Sequence, residues 1–294
     1  MKYVRLWQYF VLCLINTLFL GLPVLADPVQ IKSAGLSLNG NLIPIEDKQK
    51  TVFLIVHGTW AHGAMELPAT LQGLLEDEGY ASLALTLSLG VDNRQGFFDC
   101  KSPVVHGHEE AVEEIHTWYL FLREQGYSRV VVIAHSRGGA QAALYQQRYP
   151  QDQLVALALI APMSWQKEFV LEAYQEKFDV DLNALLEQAA QNNSSLFSPP
   201  GILYCDNTLV SPQAFISYYS EAPEKNTLRL LASGAIPTFV YLGSKDPLSE
   251  GFAKQQVLFD GKNKTSVVTI EGADHFFRDL YADELIDDLL LRLR

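Results

Sequence analysis

Positive charge is scarce in this sequence. Its 294 residues include 22 Lys and Arg against 34 Asp and Glu, which gives a formal net charge of −12 at pH 7. Because such a chain repels polyanions, the composition argues against nucleic acid as a partner. Internal repeats, low-complexity tracts and recognisable linkers are also missing. Nothing in the sequence therefore marks a boundary between two domains.

Cysteine is the second scarce residue, with three in the whole sequence. Cys13 falls in an apolar N-terminal stretch and has no small residue beside it, which argues against a lipoprotein attachment site. Without that stretch only Cys100 and Cys205 remain, so the chain can form at most one disulfide. Export would favour its oxidation, and two free thiols are the alternative.

The N-terminus has the pattern of a secretory signal peptide. Lys2 and Arg5 precede an apolar stretch over residues 9–22, and small residues follow at the cleavage-determining positions. An uncleaved anchor helix is the alternative, but it needs about 20 apolar residues, and this stretch is shorter and interrupted by polar residues. We therefore predict a signal peptide over residues 1–26, no stable membrane anchor, and an exported chain, periplasmic or secreted, that begins near Asp27.

From residue 51 onward, short apolar runs alternate with amphipathic stretches, which is the βαβα pattern of a mostly parallel sheet covered by helices. Several runs are apolar at consecutive positions, as expected of strands buried on both faces. The predicted strands are 51–56, 82–87, 130–134, 154–160, 236–242 and 265–270.

Two segments depart from this alternation. Residues 29–47 have the pattern of an antiparallel hairpin, with the turn predicted at Asn39 and Gly40. Residues 163–235 are too long for a simple crossover between strands and are rich in aromatic residues. We predict that they form a helical cap inserted into a single α/β domain over residues 27–294.

Ser136 lies where an apolar run ends and a helical pattern begins, in the stretch Ala134-His135-Ser136-Arg137-Gly138. A serine hydroxyl is a weak nucleophile until a base takes its proton, an acid orients that base, and amide donors receive the charge that develops on the substrate oxygen. A serine between a buried strand and a glycine-rich turn can also be purely structural, so these partners have to be found elsewhere in the chain.

The stretch around Ser136 resembles the nucleophile elbow of the α/β-hydrolase superfamily, Gly-x-Ser-x-Gly, with Ala134 in place of the first glycine. That family places an acid and then a histidine after the serine, each beyond a strand. By this resemblance Asp246 is the acid and His275 the base. Asp274 is the rival acid, but a residue adjacent to the histidine is poorly placed to orient its ring.

The resemblance also implies an oxyanion hole. Proteins of this family place one of its amides directly after a His-Gly pair that follows the first parallel strand, and here His57 and Gly58 form that pair. The backbone N–H of Thr59 would then act together with that of Arg137, and Trp60 is the alternative to Thr59. His57 itself is interpreted as a brace for the loop.

Two further features of the sequence concern a metal site and a disulfide. His106 and His108, next to two glutamates, suggest a metal site, but no second cluster completes the three or four ligands that a metal needs. We expect no metal and no cofactor. Cys100 lies in the long loop after the second parallel strand and Cys205 in the cap, so a bond between them would tether the cap to the body.

These features predict an exported serine hydrolase of α/β-hydrolase fold that cleaves a small-molecule ester through an acyl-enzyme. The aromatic residues of the cap favour a substrate with an apolar or aromatic group. A peptidase or amidase acting through the same residues is one alternative. A non-catalytic binding protein that keeps the fold is another.

Overall fold

The computed structural model describes residues 27–262 and 264–294, so the predicted signal peptide lies outside the described residues. The main sheet has eight strands and is accompanied by a separate two-stranded hairpin. The strands are β1 (Asp27–Ser33), β2 (Leu36–Ile43), β3 (Thr51–Val56), β4 (Ala81–Thr86), β5 (Arg129–His135), β6 (Leu154–Ile160), β7 (Gly201–Ile202), β8 (Cys205–Asp206), β9 (Thr238–Gly243) and β10 (Thr265–Ile270).

The α-helices lie in the connections between these strands and after the last one. They are α1 (Glu66–Asp77), α2 (Glu110–Glu124), α3 (Arg137–Arg148), α4 (Lys167–Phe178), α5 (Leu182–Gln191), α6 (Pro212–Tyr219), α7 (Thr227–Leu231), α8 (Glu250–Gln255) and α9 (Leu280–Arg292). Within the described ranges, no helix combines the length and apolarity needed to cross a bilayer.

The strand order in the main sheet is β1-β2-β4-β3-β5-β6-β9-β10. The pairings β1–β2 and β2–β4 are antiparallel, and every pairing from β4 to β10 is parallel. The sequence-predicted α/β fold with a mostly parallel sheet is therefore confirmed. Each of the six predicted strands occurs within two residues of its expected bounds.

The sheet is buried on both faces, as the consecutive apolar runs predict. In β3, Val52 and Leu54 point into one hydrophobic core while Phe53 and Ile55 point into the other, because successive strand side chains alternate between faces. Helices α1 and α9 cover the second core. Helices α2 and α3 cover the first, which continues into the segment between β6 and β9.

The N-terminal hairpin is present, but its predicted turn position is wrong. The chain turns at Ala34 and Gly35, whose φ angles are 47° and 84°, and Asn39 and Gly40 lie inside β2. A side chain at position 40 would meet the ring of Trp118, 3.0 Å from an ideal Cβ. Gly40 is therefore required by helix packing, and Gly35 supplies the positive φ that the turn needs.

The segment between β6 and β9 holds four helices, α4 to α7, and the small hairpin of β7 and β8. Helix α6 begins as its sequence suggests, because the Ser211 hydroxyl accepts a hydrogen bond of 3.1 Å from the Ala214 N–H and proline occupies the first helical position. We call residues 163–235 the cap.

The cap is fastened to the long loop that joins β4 to α2. Cys100 of the loop and Cys205 of the cap form a disulfide, with their Cα atoms 5.3 Å apart. Close by, Val104 donates from its N–H to Leu209 and accepts at its oxygen from Ser211, at 2.8 and 2.9 Å. The loop and the second half of the cap therefore share covalent and backbone connections.

We predict that replacing both cysteines, Cys100→Ala with Cys205→Ala, lowers the free energy of unfolding by about 4 to 5 kcal/mol. The bond closes a loop of 105 residues, and opening that loop gives entropy back to the unfolded chain. Urea denaturation measures the change, with dithiothreitol-treated wild type as the control. Equal unfolding midpoints for the double variant and the untreated wild type would contradict the prediction.

Candidate active site

The polar residues predicted for the site meet at one edge of the sheet. Ser136 follows β5, Asp246 follows β9 and His275 follows β10, while Thr59 follows β3. The carboxyl ends of parallel strands lie at the same edge, which is where open α/β sheets bind ligands. Residues that are far apart in the sequence are thereby brought within hydrogen-bonding distance.

The chain turns sharply from β5 into α3 at Ser136. Its φ and ψ are 53° and −119°, a conformation that non-glycine residues rarely adopt and that costs of the order of 1–3 kcal/mol. A hydrogen bond of 2.8 Å from the Ser136 N–H to the Ile160 oxygen holds the turn against β6. Ala134 remains buried in the β5 ladder, so the unusual backbone falls on the serine itself.

Helix α3 starts in very close contact with the neighbouring strand end. An ideal Cβ at Gly138 would overlap the carbonyl oxygen of His57, and one at Gly139 would crowd the Pro162 side chain. Glycines at these positions let α3 approach the sheet and keep Ser136 at the apex of the turn.

His275 connects the serine to an acid. Its Nε2 lies 3.0 Å from Ser136 Oγ, and its Nδ1 lies 2.8 Å from Asp246 Oδ2. Since a carboxylate only accepts hydrogen bonds, the neutral ring carries its proton on Nδ1 and accepts the Ser136 hydroxyl proton at Nε2. The three side chains thus form one hydrogen-bonded chain in which the serine donates to the histidine.

Asp246 is held as a carboxylate. Burial tends to raise its pKa, but hydrogen bonds from His275 and Ser249 outweigh burial and keep the pKa below its usual value. The Ser249 hydroxyl donates to Oδ2 at 2.6 Å, and the Leu248 N–H donates to Oδ1 at 2.9 Å. The sequence reasoning missed Ser249, although it lies only three residues after Asp246.

His135 is a second residue that the sequence reasoning missed. Its Nε2–H donates to the backbone oxygen of His275 at 2.8 Å. Burial, together with the adjacent His275, lowers the pKa of His135 to about 4, so this ring remains neutral and keeps its role as a donor. His135 thus fixes the backbone of His275. Its only sequence signal is its position directly before the serine.

The two predicted oxyanion donors lie on adjoining elements. Arg137 is the first residue of α3, where a backbone N–H has no partner within the helix. Thr59 lies in the wall of the same cavity as Ser136 and His275, and its Oγ1 accepts a hydrogen bond of 3.3 Å from Arg137 Nε. Trp60, the alternative donor, is buried and gives its indole N–H to Tyr218 of the cap at 2.9 Å.

His57 braces the loop after β3, as the sequence suggested. Its Nδ1–H donates to the Gly58 oxygen at 2.8 Å, and its Nε2 accepts from the Leu87 N–H at 3.1 Å. Burial and the neighbouring Arg94 lower the pKa of His57 to about 3. A ring that is neutral and bonded on both sides is not available for proton transfer.

The remaining candidates lie away from the hydrogen-bonded chain. Asp274 accepts a hydrogen bond of 2.9 Å from the Phe276 N–H and so closes a local turn. His106 is buried, with its Nδ1 3.0 Å from the Tyr218 hydroxyl. His108 is buried beneath the cap. Within residues 27–262 and 264–294, no group of three or more His, Cys, Asp or Glu side chains is arranged to hold a metal ion.

Ser136 lies between two cavities. One, of about 450 Å³, runs between the loops after β3 and β10 and is lined largely by apolar side chains. The other, of about 240 Å³, lies between the start of the cap and α8. Phe97 of the loop before α2 and Tyr204 of the cap stand at the first cavity, and both are substantially exposed. A bound molecule can therefore place one part in each cavity, on the two sides of the serine hydroxyl.

Comparison with known proteins agrees with this architecture. The model of the alpha/beta hydrolase family matches residues 53–288, which is most of the chain. The chain belongs to this family. A search of curated proteins found no match.

Solved structures of hydrolases share the fold at low sequence identity. Est1E from Butyrivibrio proteoclasticus is 14% identical, with a TM-score of 0.64 over 90% of this chain and 98% of Est1E. A putative hydrolase from Agrobacterium vitis S4 is also 14% identical, with a TM-score of 0.64 over 92% of this chain and 100% of its own. The monoacylglycerol lipase of Paleococcus ferrophilus is 16% identical, with a TM-score of 0.55 over 87% and 98%.

We predict that Gly138→Ala lowers the free energy of unfolding by about 1–3 kcal/mol, because the added methyl group forces the start of α3 away from the His57 carbonyl. Gly73→Ala in α1 is the matched control. An added Cβ there meets nothing within 4 Å, and alanine favours the helix by about 1 kcal/mol. Thermal and urea unfolding compare the two. A Gly138→Ala protein as stable as Gly73→Ala would count against the close approach.

Proposed function

We propose that this hydrolase is an exported serine esterase that cleaves carboxylic esters through an acyl-enzyme. One observation carries the proposal: Ser136 Oγ, the His275 ring and the Asp246 carboxylate form a continuous hydrogen-bonded chain. The order of roles along the chain is that of nucleophile, base and orienting acid. Family membership supports hydrolysis in general, and the geometry supports this mechanism for it.

In the first half of the reaction, Ser136 Oγ attacks the ester carbonyl while His275 Nε2 takes the hydroxyl proton. The imidazolium that forms is stabilised by Asp246, which stays ionised because its hydrogen bonds favour the carboxylate. Negative charge develops on the former carbonyl oxygen, where the N–H groups of Thr59 and Arg137 receive it. His275 then gives its proton to the leaving alcohol, and the acyl group remains on Ser136.

In the second half, water replaces the alcohol. His275 takes a proton from the water, which attacks the acyl carbonyl, and the same amides receive the charge again. Collapse of the intermediate returns the proton to Ser136 Oγ and releases the acid. His135 contributes by holding the His275 backbone, so that the ring keeps its orientation through both steps.

The walls of the cleft support the proposed substrate class. Apolar side chains predominate beside Ser136, among them Met65, Leu67 and Leu248, with Phe276 at the same cavity. Such walls favour small-molecule esters with an apolar or aromatic group, because burying that group removes apolar surface from water. One structural neighbour is a monoacylglycerol lipase, which is consistent with ester chemistry.

Two alternatives use the same fold differently. A peptidase or amidase would employ the same nucleophile and base on a less reactive bond. A binding protein would keep the cavities and have no use for the Ser136–His275 hydrogen bond. The proposal of catalysis rests on that bond, and the strained backbone at Ser136 supports it, because strain of this kind clusters at functional sites.

We predict that a fluorophosphonate probe labels the wild-type protein and fails to label Ser136→Ala. The variant should also lose ester hydrolysis by about 10⁴- to 10⁶-fold, since no other group can form the acyl-enzyme. Active-site labelling and hydrolysis of 4-nitrophenyl esters measure the two effects. The control is Ser233→Ala, which removes the hydroxyl of an exposed serine after α7 and should behave as wild type.

Labelling that persists in Ser136→Ala would remove the basis for the proposed nucleophile. Matched panels of esters and amides with the same acyl groups then choose between esterase and amidase. Hydrolysis of the amides at rates comparable to the esters would favour the amidase alternative. Absence of labelling in the wild type would favour the binding protein.

Export is a separate prediction. We expect the mature protein to begin near Asp27, because the N-terminal charge, apolar stretch and small residues match a cleaved signal peptide. N-terminal sequencing of protein recovered from the periplasm or medium of an expressing bacterium tests this. An intact N-terminus on membrane-associated protein would instead support the anchor.

A further inference from the structure

A third cavity lies under the cap, next to the cleft at Ser136. Its volume is about 200 Å³, and its walls come from α4, α6 and the start of α3. It shares Met163, Ser164 and Phe169 with the cavity between the cap and α8, in which Ser136 lies. We call it the cap chamber. Most of its surface is apolar and aromatic, which makes its charged members unusual.

Two cations are buried in the wall of the cap chamber. Arg137 is 8% exposed and Lys225 is 5% exposed. In the part of the chain that the structure describes, neither side chain forms an ion pair with a carboxylate. A buried cation without an ionic partner is costly, by several kcal/mol per ion. Burial of these two cations therefore requires hydrogen bonds or a bound anion that offset the free energy lost on desolvation.

Neutral side chains and backbone groups compensate only partly for the desolvation of the two cations. Arg137 gives its Nε–H to Thr59 and stacks its guanidinium over the Tyr218 ring at 5.3 Å, which leaves its terminal N–H groups without a hydrogen bond among the described residues. Lys225 Nζ donates to the backbone oxygen and hydroxyl of Ser220, at 2.7 and 3.1 Å. The planar guanidinium is the group suited to bind a carboxylate through two hydrogen bonds.

Nearby acidic groups act on Lys225 rather than on Arg137. Glu109 and Glu224 raise the pKa of Lys225, although burial outweighs them and lowers it. Glu109 is itself engaged by the Ser217 hydroxyl at 2.6 Å. Arg137 has only tyrosines among the groups that raise its pKa. Of the two buried cations, Arg137 is therefore the one that has no acidic group acting on it among the described residues.

Unpaired polar atoms are concentrated in the same place. Among the described residues, six buried side-chain nitrogen or oxygen atoms have no hydrogen-bond partner, and three of them belong to residues that line the cap chamber. These three are His108 Nδ1, Ser164 Oγ and Trp165 Nε1. His108 is 4% exposed, and burial lowers its pKa, so its ring is neutral. Buried polar groups are nearly always paired, so these three atoms are available to hydrogen-bond a bound molecule.

We propose that the cap chamber binds a carboxylate carried on one arm of the substrate, with the Arg137 guanidinium as its principal partner and Trp165 and Ser164 as further donors. This inference rests on the proposed function and narrows its substrates to esters that have an apolar or aromatic arm ending in a negative charge. Arg137 then has two roles: its backbone N–H receives the oxyanion, and its side chain recognises the substrate.

The kinetic test uses two esters of equal size. The 4-nitrophenyl monoester of adipic acid ends in a carboxylate, and that of adipamic acid ends in a neutral carboxamide. For the wild type we expect kcat/KM to favour the carboxylate ester by about 10-fold or more, because a charge-assisted hydrogen bond to a buried arginine is lost with the amide. Arg137→Gln should abolish the preference, and Arg137→Lys should retain part of it.

Arg148→Gln is the matched control, since it removes one positive charge from the same helix at an exposed position. It should keep the wild-type preference. A wild type that hydrolyses both esters equally well, or an Arg137→Gln protein whose ratio stays as in Arg148→Gln, would overturn the inference. Because the ratio compares two substrates on one protein, a general loss of activity in a variant does not affect it.

A binding test separates this inference from the proposed chemistry. Calorimetry with Ser136→Ala should show hexanoate binding about 10-fold or more tightly than hexanamide, and Ser136→Ala/Arg137→Gln should show no such preference. The backbone donors are unchanged in the second variant, so the difference reports on the side chain. A preference without any hydrolysis would leave the chamber assignment standing and reject the esterase. Ester hydrolysis by the wild type without a binding preference for hexanoate would support the esterase and reject the chamber assignment.

Discussion

The site depends on one strained residue. Ser136 has a positive φ that a serine does not adopt without support, and the support comes from both sides. Its N–H is bound to the end of β6, and two glycines after it let α3 press against the loops beyond β3 and β6. The same turn raises the hydroxyl toward His275 and directs the first free amide of α3 beside it. The proposed nucleophile and the proposed oxyanion donor are therefore products of a single backbone conformation.

Much of this arrangement is readable in the sequence. Apolar runs buried on both faces give the parallel strands nearly residue by residue, because few other structures tolerate them. The order of Ser136, Asp246 and His275, each beyond such a run, then brings them to one sheet edge. The predicted hairpin turn is wrong because Asn39-Gly40 is the stronger turn signal in the local sequence, whereas the chain turns at Ala34-Gly35. The packing of Trp118 against Gly40, a contact between distant segments, is not visible in the sequence.

Supporting residues are less visible in the sequence. His135 acts through the backbone oxygen of His275, 140 residues away in the chain, so its partner appears only after folding. Ser249 lies only three residues after its partner Asp246, but that local spacing does not mark the pair as part of a site. The side chain of Arg137 is also not predictable from the sequence, because the elbow pattern predicts a role only for the backbone amide of this residue. The burial of that side chain is decided by cap residues such as Tyr218, which no local pattern connects to the elbow.

The fastening of the cap has a consequence for how molecules enter. The disulfide and the hydrogen bonds around Val104 hold the second half of the cap to the loop before α2, and the Trp60 indole holds α6 to the loop after β3. Tyr204 and Phe97 stand on these tied segments at the mouth of the cleft. We therefore expect an entrance of fixed width, which limits the size of the molecules that reach Ser136.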